Sequence, residues 1–288
     1  MRIVAFRAGG SHALGVVEGD QVVNVTATGQ SAELGMALRQ RGGLSALAEA
    51  LSEATLGRRL SLETLEFQLP VSTPPKIVCL GLNYADHAAE GNHPPPTYPA
   101  FFMRSVMSLT AHGAPIVRPE CSEKLDYEAE LMVVIGRGGR HIPKETALEH
   151  VAGYSCFNDG SIRDYQRKST QWTMGKNFDA TGGFGPWLVT AGELPPGAKG
   201  LRIQSRLNGT VMQDSNTDRM IFDVATTIAI LSEGMTLEPG DLIAMGTPSG
   251  VGYPRNPPVF MKPGDVVEIE IDGIGVLRNP IVAESAAR

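Results

Sequence analysis

Hydrophobic and polar positions alternate from the first residues of the chain. Arg2-Ile3-Val4-Ala5-Phe6 and Ala13-Leu14-Gly15-Val16-Val17 predict two short strands, and Glu18-Gly19-Asp20 predicts a hairpin turn into Gln21-Val22-Val23-Asn24-Val25. Over Ala32–Ala54 the period lengthens to that of one or two helices, with Gly42-Gly43 as the break. Pro70-Val71-Ser72-Thr73-Pro74-Pro75 reads as a stiff crossing. A small α+β N-terminal domain is therefore expected over residues 1–72 and a larger domain over 73–288. From Lys76 onward strands predominate. Ile77–Leu80 runs into Gly81, and Asp126–Ile135 forms a longer strand. Asp241–Met245, Asp265–Ile271 and Gly275–Val282 follow, the last two joined at Asp272-Gly273, a strong hairpin signal. Helices are few there: Asp159–Ser169, with Asp159 near its start, and Asp223–Glu233. The pattern predicts a mixed α/β, β-rich protein.

Composition narrows the class. The 288 residues are 42% hydrophobic and 19% charged, enough to bury a sizeable core. The 33 glycines and 20 prolines suit many turns between short strands. With a net charge of -6, the chain lacks the clustered basic surface that nucleic acid or an anionic membrane requires. Arg137–Arg140 is a dense but short basic run, read as a solvated turn. Cys79, Cys121 and Cys156 are odd in number and show no CxxC spacing, which argues against a disulfide framework or a thiolate zinc site. The N-terminus has no apolar signal region and no run of 18 apolar residues occurs, so a cytoplasmic protein is expected.

Chemistry concentrates in five stretches. In a strand over Leu125–Gly136, Asp126, Glu128 and Glu130 share one face, which turns apolar at Met132 and Val134. Tyr127, Ala129, Leu131, Val133 and Ile135 form the opposite, core face. The acidic end is expected to enter a cavity, where crowded carboxylates need a cation, and hard oxygen donors suit Mg²⁺, Mn²⁺ or Ca²⁺ better than zinc. From the strand alone, a solvated acidic edge is an equal reading. Next, the apolar run from Val151 delivers Asn158-Asp159 to a helix start. There Asp159 is either an N-cap or a third carboxylate, with Arg163 and Gln166 on its face at i+4 and i+7. An arginine beside acidic metal ligands suits an anionic substrate. Lys176 lies among glycines and aromatics in Trp172–Trp187, placed to pair with the carboxylates or to touch substrate. Gly246–Gly252 lacks the spacing of a phosphate-binding loop, and reads as a tight turn presenting N–H groups and the Thr247 hydroxyl to an anion. Finally, His87 and Glu90 stand at i,i+3 in a short helix, although a lone histidine is more often structural. Pro94-Pro95-Pro96 and Pro99 then make a stiff loop suited to a lid.

The stretches GLNYADHAAE, LDYEAELMVVIGR, GYSCFNDGSIRDYQ, WTMGKNFD, GTPSGVG and GDVVEIEIDGIGVLRNPI, in this order, resemble the fumarylacetoacetate hydrolase superfamily over about Lys76 to Val282. The resemblance implies a β-barrel or roll catalytic domain, usually in a homodimer. It implies Glu128, Glu130 and Asp159 as ligands of Mg²⁺ or Mn²⁺, and Lys176 beside the metal. Arg163, Gln166 and Thr247 are implied to line the substrate site; Arg104, in a stretch where members differ, and Tyr84 are taken as further candidate substrate contacts. His87 and Glu90 match a dyad that activates water in some members. The reaction so implied is cleavage of a C–C bond in a small 2,4-dioxo acid: the 2-oxo-carboxylate chelates the metal and His87, oriented by Glu90, activates water. The same enolate-stabilising site is compatible with isomerisation of a hydroxymuconate-like diacid or decarboxylation of oxaloacetate. A non-catalytic keto-acid-binding protein would be signalled by loss of the dyad or of a carboxylate, and both are present.

Overall fold

The computed structural model describes residues 1–26, 31–54, 58–90 and 96–287, with 51–54 and 88 described by backbone alone. The first strands form where alternation places them. Arg2–Ala8 and Ser11–Glu18 pair across Gly9-Gly10, both at positive φ, and Ser11–Glu18 pairs in turn with Gln21–Asn24. Helices Leu34–Arg39 and Gly43–Ala54 follow, broken at Gln40–Gly42. Glu33 begins the first of them. One carboxylate oxygen accepts from Met36 N (2.6 Å), and the other from Ser72 N (3.0 Å), tying the helix start to the Pro70–Pro75 crossing.

Two sheets form the body of the molecule. The larger runs, in spatial order, Arg59–Ser61, Gln21–Asn24, Ser11–Glu18, Arg2–Ala8, Gly182–Thr190, Val151–Asn158, Ala129–Ile135, Leu242–Ala244, Ile77–Gly81 and Ala100–Arg104. It crosses from the N-terminal strands to the rest of the chain through two residue pairs, Arg2 with Val189 and Ile3 with Leu188. The smaller sheet contains Thr210–Asn216, Arg202–Leu207, Val266–Ile271, Gly275–Ala283 and Ile116–Arg118. Leu131, Val133 and Ile135 pack between the sheets with Ile203, Ile269 and Leu277. Met132 and Val134, on the other face of the same strand, pack with Ile77, Cys79 and Leu188. Buried on both faces, this strand is apolar without interruption from Leu131 onward. The fold is the mixed, strand-rich α/β class that the pattern predicts, as two packed sheets with no closed ring of strands traced among the described residues. No helix among them is long and apolar enough to cross a membrane.

Candidate active site

Two local expectations fail, for one reason. The strand expected over Asp126–Ile135 is broken at Tyr127-Glu128: Leu125–Asp126 pairs with Ser161–Ile162, while Ala129–Ile135 joins the large sheet. That pairing also keeps the chain extended past Asp159, so the helix expected over Asp159–Ser169 is reduced to Arg163–Gln166. Asp159 is therefore not an N-cap. Its N–H donates to Glu128 O (2.9 Å), and its carboxylate is left for the site. A contact distant in sequence outweighs local helix preference here.

The break brings the carboxylates together. Glu128, Glu130 and Asp159 are buried, and one oxygen of each lies within 4.8 Å of those of the other two. Three cations surround them. Lys176 Nζ donates to Glu128 Oε2 (2.7 Å) and to Asp159 Oδ2, and lies 5.0 Å from the Phe102 ring centroid. Arg163 spans Asp126 Oδ2 (2.8 Å) and Glu128 Oε1 (2.6 Å). Arg104 pairs with Asp159 Oδ1. Burial favours neutral Glu128, but Lys176 and Arg163 hold it ionised, well below the usual carboxylate range. Burial would likewise strip the Lys176 proton, and Asp159 with Glu128 keeps it on. Glu130 is the exception. No cation among the described residues forms an ion pair with it, and burial, followed by Asp159 and Glu128, pushes its carboxyl well above the ordinary range.

The Gly246–Gly252 loop does meet anions, but they are the site's own side chains. Gly246 N donates to Glu130 Oε2 (3.0 Å) and Gly250 N to Glu90 Oε1 (2.9 Å); Gly252 N and Tyr253 N donate to the two oxygens of Asp126 (2.8 and 3.0 Å). Gly246, at φ +86°, packs so closely on Asn83 that a Cβ would sit 2.8 Å from the Asn83 Cβ. Thr247 Oγ1 accepts from Gln213 Nε2 (2.7 Å), and Gln213 Oε1 accepts from Ala129 N (2.9 Å).

The short helix expected around His87 spans Ala85–Glu90, and His87 Nδ1 lies 3.4 Å from Glu90 Oε2. His87, Glu128, Glu130, Arg163, Gln166, Lys176 and Thr247 line one cavity of about 270 Å³. Glu90 stands behind His87, bound to the glycine loop. Arg104 faces away from the cavity, its guanidinium also engaged by Ser108 (3.1 Å) and Thr181 (3.0 Å) behind Asp159. Tyr84 is likewise outside the lining, buried with its hydroxyl unpartnered. The cavity walls add Leu80, Gly81, Phe102, Arg167, Ser169, Trp172 and Tyr253. Of these, Trp172 lies beside the motif lysine and Arg167 beside Gln166, so proximity in sequence was the available signal. Tyr253 is 90 residues from Arg163 but directly follows the Gly246–Gly252 loop, so proximity in sequence was the signal there too. Of the expected lid, Pro96 and Pro99 are described, and Pro94 and Pro95 lie outside the described residues.

The donor set fits a hard divalent cation. Asp126, Glu128, Glu130 and Asp159 are four buried carboxylates against three buried cations, Arg104, Arg163 and Lys176, and Glu130 is the one without a cationic partner. A cation held by Glu128, Glu130 and Asp159 would give Glu130 the positive partner it lacks.

The chain is similar to known proteins over most of its length. The family model described as fumarylacetoacetate (FAA) hydrolase C-terminal matches residues 76–282. A protein of Xenopus laevis named oxaloacetate tautomerase fahd2, mitochondrial, is 40% identical over 98% of this chain and 90% of its own length. The solved structure of a fumarylacetoacetate hydrolase from psychrophilic Exiguobacterium antarcticum superposes with a TM-score of 0.86 at 35% identity, covering 99% of this chain and 100% of that one. Maleylpyruvate hydrolase from Sphingobium sp. SYK-6, solved with manganese(II) and pyruvate, superposes with a TM-score of 0.82 at 30% identity, covering 98% and 99%.

Proposed function

This chain belongs to the fumarylacetoacetate hydrolase family, and on that premise we propose that it is a divalent-metal-dependent enzyme that interconverts the keto and enol forms of a small 2-oxo acid, with oxaloacetate as the substrate. The observation that carries the reading is the cluster of Glu128, Glu130 and Asp159, of which Glu128 and Glu130 line a cavity that also presents His87, Arg163 and Lys176. At about 270 Å³ the cavity suits a metabolite of a few carbons, below the roughly 300–1,000 Å³ of drug-sized sites. The 40% identity with an oxaloacetate tautomerase, over nearly all of both chains, supports the substrate.

Glu128, Glu130 and Asp159 would hold Mg²⁺ or Mn²⁺. When bound, the ion supplies positive charge to a 2-oxo oxygen and its neighbouring carboxylate. Lys176 and Arg163 add fixed positive charge on the same wall, where negative charge grows on oxygen as the C3 proton leaves. His87 is the group suited to move that proton: Glu90 engages Nδ1, which leaves Nε2 to take the C3 proton in one direction and return it in the other. The glycine loop fixes Glu90, so the imidazole is oriented before substrate arrives.

A second reading, hydrolysis of a 2,4-dioxo acid, is favoured by the same His87–Glu90 pair, which would then activate water, and by the similarity to maleylpyruvate hydrolase. One assay separates the two. Oxaloacetate enol, followed by its ultraviolet absorbance, should ketonise faster with protein and Mn²⁺ and not with chelator. The rate should fall at least about 100-fold in His87→Ala, within the 10²–10⁴-fold contribution of general acid–base catalysis. Pyruvate release from acylpyruvates without oxaloacetate tautomerisation would overturn the first reading in favour of the second.

A further inference from the structure

The mouth of the cavity carries a cation that the chemistry at its floor does not use. Arg167 lines the cavity, is exposed, and forms no ion pair or side-chain hydrogen bond among the described residues. Asp164, the acid one turn earlier, is engaged instead by Ser122 Oγ (2.7 Å). A free surface arginine would sample many rotamers, but Arg167 is seated over an aromatic ring: its Cζ lies 4.1 Å from the centroid of Tyr253. Arg163, four residues earlier, lies 4.7 Å from the same ring and has a buried Nη2 with no partner. Two guanidinium groups at i,i+4 repel. Asp126 and Glu128 neutralise Arg163, whereas nothing among the described residues neutralises Arg167. Burial orders the cavity: Glu128 and Glu130 lie at its closed end, Arg167 and Ser169 at its open end.

We infer that Arg167, held on Tyr253, is a specificity-determining residue that binds the distal carboxylate of the substrate, so that the cavity selects 2-oxo diacids over 2-oxo acids ending in a neutral group. This rests on the reading above, that the cavity takes a 2-oxo acid with its reacting end on the acidic cluster. The second carboxylate then points toward the mouth, where a planar, pre-seated guanidinium offers paired donors at small entropic cost.

The test is a binding experiment that needs no reaction. Manganese-loaded protein is titrated by calorimetry with malate, a 2-hydroxy diacid, and with its 4-methyl ester, which keeps the chelating end and removes the distal charge. The wild type should bind malate roughly 10- to 100-fold more tightly, the range of a hydrogen bond to a charged group. Arg167→Gln should bring that ratio close to one, and Arg167→Lys should restore part of it. Tyr253→Leu should lower it by freeing the guanidinium. A wild type without preference, or an Arg167→Gln variant that keeps it, overturns the inference. Arg167 is exposed, so its variants should melt as the wild type does. Failure of oxaloacetate tautomerisation would count against the proposed reaction, while the malate-to-ester ratio still decides the role of Arg167.

Discussion

Replacing Glu130 with Gln should raise the stability of the metal-free protein and sharply reduce its response to metal. Glu130 is 1% exposed and accepts one backbone hydrogen bond, from Gly246 N at 3.0 Å. Gln preserves the shape and can keep that acceptor while removing the charge that burial, Asp159 and Glu128 disfavour. The sign follows from linkage. A carboxyl whose folded pKa is raised above its unfolded value costs stability as pH rises past the unfolded value, and at neutral pH that cost is present. Its removal should stabilise the metal-free protein by about 1–3 kcal/mol, or roughly 2–10 °C in Tm for a chain of this size. Metal reverses the order. At a Mn²⁺ concentration of about 100 times Kd the wild type gains about 2.7 kcal/mol; a variant binding about 100-fold more weakly gains about 0.4 kcal/mol. Differential scanning fluorimetry with and without Mn²⁺ reads both changes. A Glu130→Gln protein with the wild-type Mn²⁺ shift would refute the ligand assignment. One that melts below the wild type without metal would show that the Gly246 contact, not charge crowding, dominates at Glu130.

Three further changes probe the surroundings. Lys176→Met leaves Glu128 and Asp159 without the ammonium that bridges them. It should cost about 3–5 kcal/mol by urea unfolding without metal and less with Mn²⁺, so an equal loss in both conditions would argue against the cluster as the metal site. His112 packs edge-on against Phe67 and accepts from Arg278 N; burial, followed by the Arg278 charge, lowers its pKa to about 4. The unfolded state then takes up the proton first, so stability should fall as pH drops from about 6.5 toward about 4, by up to roughly 3 kcal/mol before allowance for partial exposure. His112→Asn should flatten the wild-type pH–stability curve in that window, and parallel curves would exclude the effect. A Cβ at Gly252 would lie 1.8 Å from Val259 O and 2.5 Å from Asp126 Oδ1. Gly252→Ala should therefore destabilise by about 1–3 kcal/mol and lower Mn²⁺ affinity, which calorimetry would detect.

What could be read in the chain was what lies close together along it. Alternation located Ala129–Ile135 and the terminal hairpin, and i,i+3 spacing located the His87–Glu90 helix. The candidate carboxylates were visible, but their arrangement was not. Asp126 and Glu128 share a face in any regular strand. The pairing of Leu125–Asp126 with Ser161–Ile162 sends Asp126 to Arg163 and leaves Glu128 facing Asp159. That pairing spans 35 residues, beyond any local period. The supporting amides were hidden in the same way. Asn158 Oδ1 accepts from Glu128 N (2.9 Å) across 30 positions, and Gln213 links Ala129 N to Thr247 across 84 and 34.

The glycine loop shows why the site is organised without any one strong interaction. Its amides bind Glu130 in the carboxylate cluster, Glu90 behind His87, and Asp126 beneath Arg163. Each bond is individually modest, about 1.5–3 kcal/mol for a donor to a charged group. Because they share one segment, they set the relative positions of Glu130, of Glu90 behind His87, and of Asp126 beneath Arg163, the residues proposed for metal binding, proton transfer and anion binding. Glycine is required where the loop passes Asn83, Met212 and Val259: a Cβ at Gly246, Gly250 or Gly252 would come within 2.8, 2.5 and 1.8 Å of those residues. A substitution in this loop should therefore impair metal affinity and proton transfer together, whereas His87→Ala removes only the second. That difference separates a frame shared by the whole site from a group that carries one step of its chemistry.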